Sequence, residues 1–219
     1  MNLEVRKMKL RSDIDEFLNS IDKNVCVVAA TKYVGPDEMR DLYKHNVCNF
    51  GENRVDSFLA KYEALNDLDV KWHFIGHLQR NKCKQIINKI DYLHSLDSLE
   101  LAKMIDNLRD KPLNCFIEVS INLEENKNGV DYHNIDQFME EVLKYKNINV
   151  VGFMMMAIKN DNEDNLKEQF LALYNLKNRV EKDFNIKLPY LSMGMSDDYK
   201  EAIMAHTTHV RLGRILWTN

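Results

Sequence analysis

With 219 residues, of which 45% are hydrophobic and 29% charged, the chain has the composition of a globular protein with a substantial core. A formal net charge of −4 gives no reason to expect nucleic acid or an acidic membrane surface as a partner. Three prolines and seven glycines argue against long linkers, and no apolar stretch approaches the length of a membrane span. We therefore expect a single domain over residues 1–219.

The four cysteines are Cys26, Cys48, Cys83 and Cys115. None of them forms a C-x-x-C pair and three lie in apolar, strand-like runs, so we interpret them as reduced core residues. Reduced thiols are typical of the cytosol. Because the N-terminus also lacks an apolar leader, we expect a cytoplasmic protein.

The chain begins with an amphipathic pattern over residues 3–22, which predicts a leading helix. Short apolar runs then alternate with helical patterns, of which the clearest covers 163–183. The predicted strands cover residues 25–31, 47–50, 71–75, 92–96, 115–121, 150–155, 188–193 and 209–212. Eight such alternations indicate a parallel sheet and are the number that a (β/α)8 barrel needs. A doubly wound open sheet is the alternative, but no G-x-G-x-x-G or P-loop occurs.

The first predicted strand ends in a lysine, Lys32. The carboxyl end of a buried strand is where α/β folds collect their chemistry. Burial there disfavours the charged amine, and the neutral amine is the form that makes a Schiff base with an aldehyde. On this strand alone, a lysine that reaches into solvent is the more ordinary interpretation.

The last two predicted strands end in segments suited to an anion. The seventh ends in the run LSMGMS at 191–196, where the Ser192 hydroxyl can donate to a phosphate oxygen. The eighth ends in VRLGR at 210–214, where Gly213 opens a helical turn whose backbone amides form an anion site. In a closed barrel, Lys32 is next to this strand. A Schiff-base lysine beside a phosphate site indicates pyridoxal 5′-phosphate.

Several segments in this order resemble the pyridoxal-phosphate homeostasis family, the single-domain YggS-like or PROSC-like proteins. They are VAATK at 28–32, FGEN at 50–53, WHFIGHLQ at 72–79, NK at 81–82, HSLDS at 94–98, LSMGMS at 191–196 and VRLG at 210–213. The resemblance covers nearly the full length of the chain. It implies a (β/α)8 barrel like the N-terminal domain of alanine racemase, with the cofactor held as an aldimine on Lys32.

The resemblance also implies a set of cofactor-binding residues. They are Lys32, Asn53, Ser192, Arg211, Gly213 and Arg214. Ser192, Gly213 and Arg214 would bind the phosphate, while Asn53 would form a wall of the pocket. Arg211 would face the pyridine nitrogen. A guanidinium keeps its proton in a protein, so that nitrogen would stay unprotonated and the ring would be a poor electron sink.

Two segments depart from the family pattern. Arg214 stands where most relatives carry a small hydroxyl residue. Its backbone N–H can still bind phosphate, while its side chain either adds a charge–charge contact or turns outward. The loop after the sixth strand reads MAIK at 156–159, where the family carries a proline.

The resemblance implies a carrier that stores, buffers or delivers pyridoxal phosphate, with pyridoxal-phosphate-dependent apo-enzymes as partners. Racemases of this barrel type take a second acid/base from an extra β domain and a partner subunit. Because the chain ends at Asn219, shortly after the eighth strand, we expect no such domain, no catalytic residue and a monomer. A weak pyridoxal-phosphate-dependent amino-acid racemase or lyase is the alternative. A nucleic-acid or protein adaptor acting through Arg80, Lys82 and Lys84 is disfavoured by the acidic total charge.

Other candidate residues have ordinary structural interpretations. His73 and His77 have the spacing of a helical metal pair but straddle a strand end, so we expect no metal site. Residues 154–156, all methionine, are expected in the core, and His45 and His94 are expected to be structural. The loop that contains Glu124, Glu125 and Lys127 is expected to be solvated, with a lid over the cofactor as the alternative.

Overall fold

The computed structural model describes residues 8–121, 128–158 and 161–218 of the chain. Within these ranges, the strands are β1 (Lys9–Leu10), β2 (Cys26–Ala30), β3 (Asn49–Glu52), β4 (Lys71–Phe74), β5 (Tyr92–Leu96), β6 (Leu113–Ser120), β7 (Val130–Asp131), β8 (Ile148–Met154), β9 (Tyr190–Ser192), β10 (His209–Leu212) and β11 (Trp217–Thr218). The helices in the same ranges are α1 (Ile14–Ser20), α2 (Pro36–Tyr43), α3 (Val55–Ala64), α4 (Arg80–Ile86), α5 (Leu99–Leu108), α6 (Ile135–Val142), α7 (Glu163–Phe184) and α8 (Tyr199–Met204).

Eight parallel strands close into a barrel in the order β2-β3-β4-β5-β6-β8-β9-β10. The pairing of β10 with β2, which sets Arg211 opposite Val28, joins the last barrel strand to the first. Each barrel strand overlaps one of the eight predicted runs, and a helix lies between every two consecutive barrel strands. The predicted (β/α)8 barrel is therefore confirmed.

The start of the chain differs from the prediction. Within the predicted helix over 3–22, only Ile14–Ser20 is helical, and residues 1–7 lie outside the described residues. Lys9–Leu10 instead forms a two-stranded antiparallel sheet with Trp217–Thr218. The local pattern could not reveal this pairing because its partner lies at the other end of the chain.

The inside of the barrel is partly polar. An apolar cluster of Phe116, Val151 and Met154 lies there, apart from the main core between strands and helices. The buried residues also include His73, His94 and His209, one each from β4, β5 and β10. The interior of such a barrel is commonly filled by layers of branched aliphatic side chains, so three buried histidines distinguish this barrel from the common pattern.

All four cysteines are free thiols, with Cys83 and Cys115 buried and Cys26 and Cys48 half-buried. The interpretation as core residues is thus confirmed for two of them. Among the described residues, no helix combines the length and the apolar character needed to cross a bilayer.

Candidate functional site

A cavity of about 490 Å³ lies at the carboxyl ends of β2, β9 and β10. Four of the six predicted cofactor-binding residues line it, namely Lys32, Arg211, Gly213 and Arg214. Neither Asn53 nor Ser192 is among its lining residues. The barrel thus brings together side chains from opposite ends of the chain at the edge where the sequence places the chemistry.

Lys32 lies two residues beyond the end of β2 and is exposed. Its Nζ stands 4.9 Å from the centroid of the Tyr33 ring, a cation–π distance. The prediction that burial desolvates this amine is wrong, because β2 ends at Ala30 and Lys32 already lies in the following turn. The amine is therefore directly accessible to a ligand in the cavity.

A buried ion pair fixes the backbone immediately before Lys32. The Thr31 hydroxyl donates to Glu52 Oε1 over 2.6 Å, and Lys61 Nζ donates to the Thr31 carbonyl over 2.7 Å. Lys61 Nζ also lies 2.5 Å from Glu52 Oε1, and the Glu52 side chain is fully buried. No local pattern in the sequence indicates this pair. It holds the strand end from which the Lys32 side chain departs.

Arg211 is a buried cation at the cavity, 5% exposed. Its Nη1 donates to the carbonyl and the hydroxyl of Ser192 over 2.8 and 2.7 Å, and its Nη2 donates to the Met155 carbonyl over 2.9 Å. Burial lowers the pKa of Arg211 to about 10, while Asp198 and Glu118 act in the opposite direction. The guanidinium therefore stays charged at neutral pH, and the acceptors of these bonds are neutral oxygens.

Ser192 lies in the barrel interior rather than at the cavity. It is fully buried, and its Oγ is within 2.8 Å of His94 Nδ1 as well as 2.7 Å from Arg211 Nη1. Ser192 still belongs to β9, whereas the loop that reaches the cavity begins after it. The structure thus places Ser192 behind Arg211 and outside the lining of the cavity, and its phosphate contact stays a prediction.

Ser196, which the sequence pattern alone did not single out, lines the cavity instead. Its hydroxyl accepts the backbone N–H groups of Gly213 and Ile215 over 3.2 and 3.4 Å, at the first turn of the 3-10 segment Arg214–Leu216. The chain reaches this position through Gly194, whose φ is +91° and where a Cβ would lie 2.6 Å from the Ala202 Cβ. The signal was present in the run LSMGMS, whose second serine follows the glycine turn.

The other two predicted site residues have different surroundings. The Arg214 guanidinium donates to the Asp197 carboxylate over 2.5 Å, and both side chains are mostly exposed. The side chain therefore has the outward orientation in this structure, and the charge–charge contact with a phosphate stays a prediction. Asn53 is half-buried, and its Oδ1 has no hydrogen-bond partner among the described residues. Its role as a pocket wall remains a prediction.

The two histidines with the spacing of a helical metal pair, His73 and His77, form hydrogen bonds with different partners. His77 is exposed and bonds Asp97 over 2.9 Å, whereas His73 is fully buried and bonds Asn49 and His94. In the described ranges, no group of three or more His, Cys, Asp or Glu residues is placed to hold a metal ion. The predicted methionine core holds for Met154 and Met155, which are buried; Met156 is exposed and lines the cavity.

Three further predictions have mixed outcomes. His45 pairs with Asp15 over 2.7 Å, as a structural histidine does. In the basic segment, Lys82 lies 3.1 Å from Asp56, so part of its charge is neutralised within the protein. The loop with Glu124, Glu125 and Lys127 lies outside the described residues, as does Lys159.

Comparison with known proteins gives consistent matches. Residues 9–218 match the family model described as the alanine racemase N-terminal domain. The chain is 39% identical over 194 residues to the "Pyridoxal phosphate homeostasis protein" of Aquifex aeolicus, covering 87% of this chain and 85% of that protein.

Solved structures agree with these matches. PipY of Synechococcus elongatus with pyridoxal phosphate bound superposes with a TM-score of 0.87 at 25% identity, covering 94% of this chain and 100% of PipY. An alanine racemase from Clostridium difficile superposes with a TM-score of 0.77 at 15% identity, and the chain covers 57% of its length. The second likeness concerns the fold alone.

Proposed function

Because the chain belongs to the pyridoxal phosphate homeostasis proteins of the alanine racemase N-terminal domain family, we propose that it binds pyridoxal 5′-phosphate and serves in intracellular homeostasis of this cofactor. It stores, buffers or delivers the cofactor, which it holds as a Schiff base on Lys32. The support comes from the names of its relatives and from the residues that meet in the cavity.

The residues of the cavity fit this cofactor. Its phosphate needs N–H and O–H donors, which the Ser196 O–H and the backbone N–H of Arg214 supply, while the Gly213 N–H donates to Ser196 Oγ and orients that hydroxyl. Its aldehyde needs a reachable amine, and Lys32 is exposed at the rim. Its ring nitrogen needs a polar partner in an otherwise enclosed place, and Arg211 is a buried donor there. A guanidinium has more N–H groups than its bonds to Ser192 and Met155 use.

The buried guanidinium of Arg211 is the observation that carries this function. When bound, the cofactor supplies an electrophilic ring that withdraws electrons best when its nitrogen is protonated. Arg211 donates hydrogen bonds and does not give up its proton, so it leaves the nitrogen beside it unprotonated. A site with such a residue suits holding the cofactor better than stabilising a carbanion.

We expect the substitution Ser196→Ala to weaken binding of pyridoxal 5′-phosphate about tenfold, because the hydroxyl is lost as a charge-assisted donor to the phosphate. Binding of pyridoxal, which has no phosphate, should be unchanged. Titration of cofactor-free protein, followed by visible absorption, measures both affinities. Ser57→Ala in α3, away from the cavity, is the matched control. An equal loss for both ligands would contradict the assignment of Ser196 to the phosphate.

We further propose that the protein does not catalyse amino-acid chemistry. The loaded protein should then show no racemisation or elimination above background over a panel of amino acids. Chiral chromatography after long incubation, with an alanine racemase as positive control, measures this. Turnover that disappears in Lys32→Ala would establish the alternative, a weak racemase or lyase.

The free thiols of Cys83 and Cys115 accord with a reducing compartment, and we propose a cytoplasmic location on that basis. We propose a monomer as the working state and pyridoxal-phosphate-dependent apo-enzymes as recipients. Light scattering of the loaded protein tests the first, and transfer of the cofactor to such an apo-enzyme tests the second.

A further inference from the structure

A continuous chain of hydrogen bonds crosses the barrel interior behind the cofactor cavity. It starts at Arg211 Nη1, passes over 2.7 Å to Ser192 Oγ and over 2.8 Å to His94 Nδ1. It continues from His94 Nε2 over 2.8 Å to His73 Nδ1, and from His73 Nε2 over 3.0 Å to Asn49 Oδ1. Each member lies on a different barrel strand, and β5 is not a neighbour of β9, so the chain spans the inside of the barrel.

The direction of every bond in this chain follows from its last member. The Asn49 carbonyl oxygen only accepts, so His73 carries its proton on Nε2 and donates to it. The unprotonated Nδ1 of His73 accepts from His94, which therefore carries its proton on Nε2. His94 Nδ1 in turn accepts the O–H of Ser192, whose Oγ accepts from the Arg211 guanidinium.

Neighbouring groups hold the Asn49 end of this hydrogen-bond chain and its two imidazole rings in place. The Asn49 amide Nδ2 donates to Cys48 Sγ over 3.7 Å, which leaves its oxygen toward His73. The rings cannot swing away easily, because His73 stacks on Tyr92 at 4.6 Å and His94 packs on Phe116 at 4.4 Å. Burial lowers the pKa of His73 to about 3, in agreement with a neutral, singly protonated ring.

Arg211 depends on this chain for its orientation. Among the described residues it has no carboxylate within ion-pair distance, so its position rests on Ser192 and the Met155 carbonyl. The Ser192 hydroxyl can accept from Arg211 and donate onward only if His94 keeps Nδ1 free of a proton. His94 keeps this tautomer because His73 accepts from its Nε2.

We propose that His94 and His73 are positioning residues that fix the Arg211 guanidinium at the cofactor cavity through this directed chain of hydrogen bonds to Asn49. This inference rests on the proposed function for the identity of the ligand and adds the interior residues that determine how firmly the ligand is held. Neither histidine lines the cavity, so each acts through Arg211.

The test compares two replacements of His94 in the full chain. In His94→Gln, the amide oxygen can accept from Ser192 and the amide nitrogen can donate to His73, whereas His94→Phe keeps the ring shape but removes both groups. We expect His94→Phe to release pyridoxal 5′-phosphate about tenfold faster than the wild type, the effect of about one hydrogen bond. We expect the release rate of His94→Gln to stay within about twofold of the wild-type rate. The release rate of His45→Gln, a histidine that is not part of the hydrogen-bond chain, should match that of the wild type.

A second measurement uses the cofactor-free protein. In ¹⁵N NMR spectra near neutral pH, both histidines should carry their proton on Nε2, and the Arg211 guanidinium protons should exchange slowly. His94→Phe should speed this exchange about tenfold or more, whereas His94→Gln should preserve it. If His94→Phe does not fold, the same measurements compare Asn49→Leu with Asn49→Asp. Asn49 is the half-exposed last member of the hydrogen-bond chain, and only the aspartate variant keeps an acceptor for His73.

The outcomes separate the two proposals. A proton on Nδ1 of His94, or equal release rates and equal Arg211 exchange in the glutamine and phenylalanine variants, would overturn the positioning role. A wild-type protein that takes up no pyridoxal 5′-phosphate would instead refute the proposed function. Proton exchange at the Arg211 guanidinium in the cofactor-free variants would still test the positioning role of the two histidines.

Discussion

Replacement of Lys32 by alanine is expected to abolish the visible absorption that the loaded protein acquires with pyridoxal 5′-phosphate. Among the described residues, Lys32 is the lysine that lines the cavity, and its exposed amine is free to condense with an aldehyde. Loss of the covalent link should lower the affinity about a hundredfold, or ~2.7 kcal/mol. Absorption spectra before and after borohydride, followed by peptide mapping of the reduced protein, measure the link and its position.

Two control variants separate the covalent link from its alternatives. Lys32→Arg keeps the positive charge beside Tyr33 but cannot form a Schiff base, so it should lose the band as completely as Lys32→Ala. Lys71→Ala, which removes an exposed lysine at the start of β4, should keep the band. A band that survives in Lys32→Ala, or a reduced cofactor found on another lysine, would contradict the assignment.

The cofactor-free protein is expected to lose stability steeply between pH 6.5 and 4.5. Burial lowers the pKa of His73 to about 3 and that of His209 to about 4, and it holds the pKa of His94 well below its ordinary value. The unfolded chain binds protons at these groups below about pH 6.5, whereas the folded protein does not. Each group therefore contributes stability that is present above pH 6.5 and is lost as the pH falls, by about 1.4 kcal/mol per pH unit.

Two buried carboxyls act in the opposite direction. Burial raises the pKa of Glu118 to about 7, with a further contribution from Asp97, so this group costs stability as the pH rises from about 4.5 through 7. Burial also raises the pKa of Asp198 above its ordinary value, which has the same sign. Three histidines outweigh two carboxyls, which leaves a net loss of about 1.4 kcal/mol or more for the pH unit below 6. Such a loss is a sizeable fraction of the stability of a typical domain.

Urea denaturation at a series of pH values measures this dependence as the free energy of unfolding. His73→Gln should reduce the slope below pH 6 by about one proton. A free energy of unfolding that stays level from pH 6.5 to 4.5 would refute the neutral state of the interior histidines.

Much of the fold could be predicted from the sequence because the information is local. The eight barrel strands coincide with short apolar runs, and periodicity over a few residues distinguishes them from helices. The lysine after the first barrel strand, Lys32, and the glycine turn at Gly213 also follow from local residue chemistry, and both line the cavity. The pairing of Lys9–Leu10 with Trp217–Thr218 could not be predicted, since neither segment is distinctive without the other.

The chain's sequence by itself determined the fold, the edge of the barrel that carries the site, and the lysine and arginine that meet there. Only the tertiary structure decided which of two serines reaches the cavity: Ser192 still faces the barrel interior within β9, and Ser196 lies past the turn at Gly194. It also showed that Lys32 is exposed and that hydrogen bonds link His73 and His94 through Ser192 to Arg211. The reason is physical, because burial and hydrogen-bond partners depend on contacts between strands that are distant in the chain, which no local pattern contains.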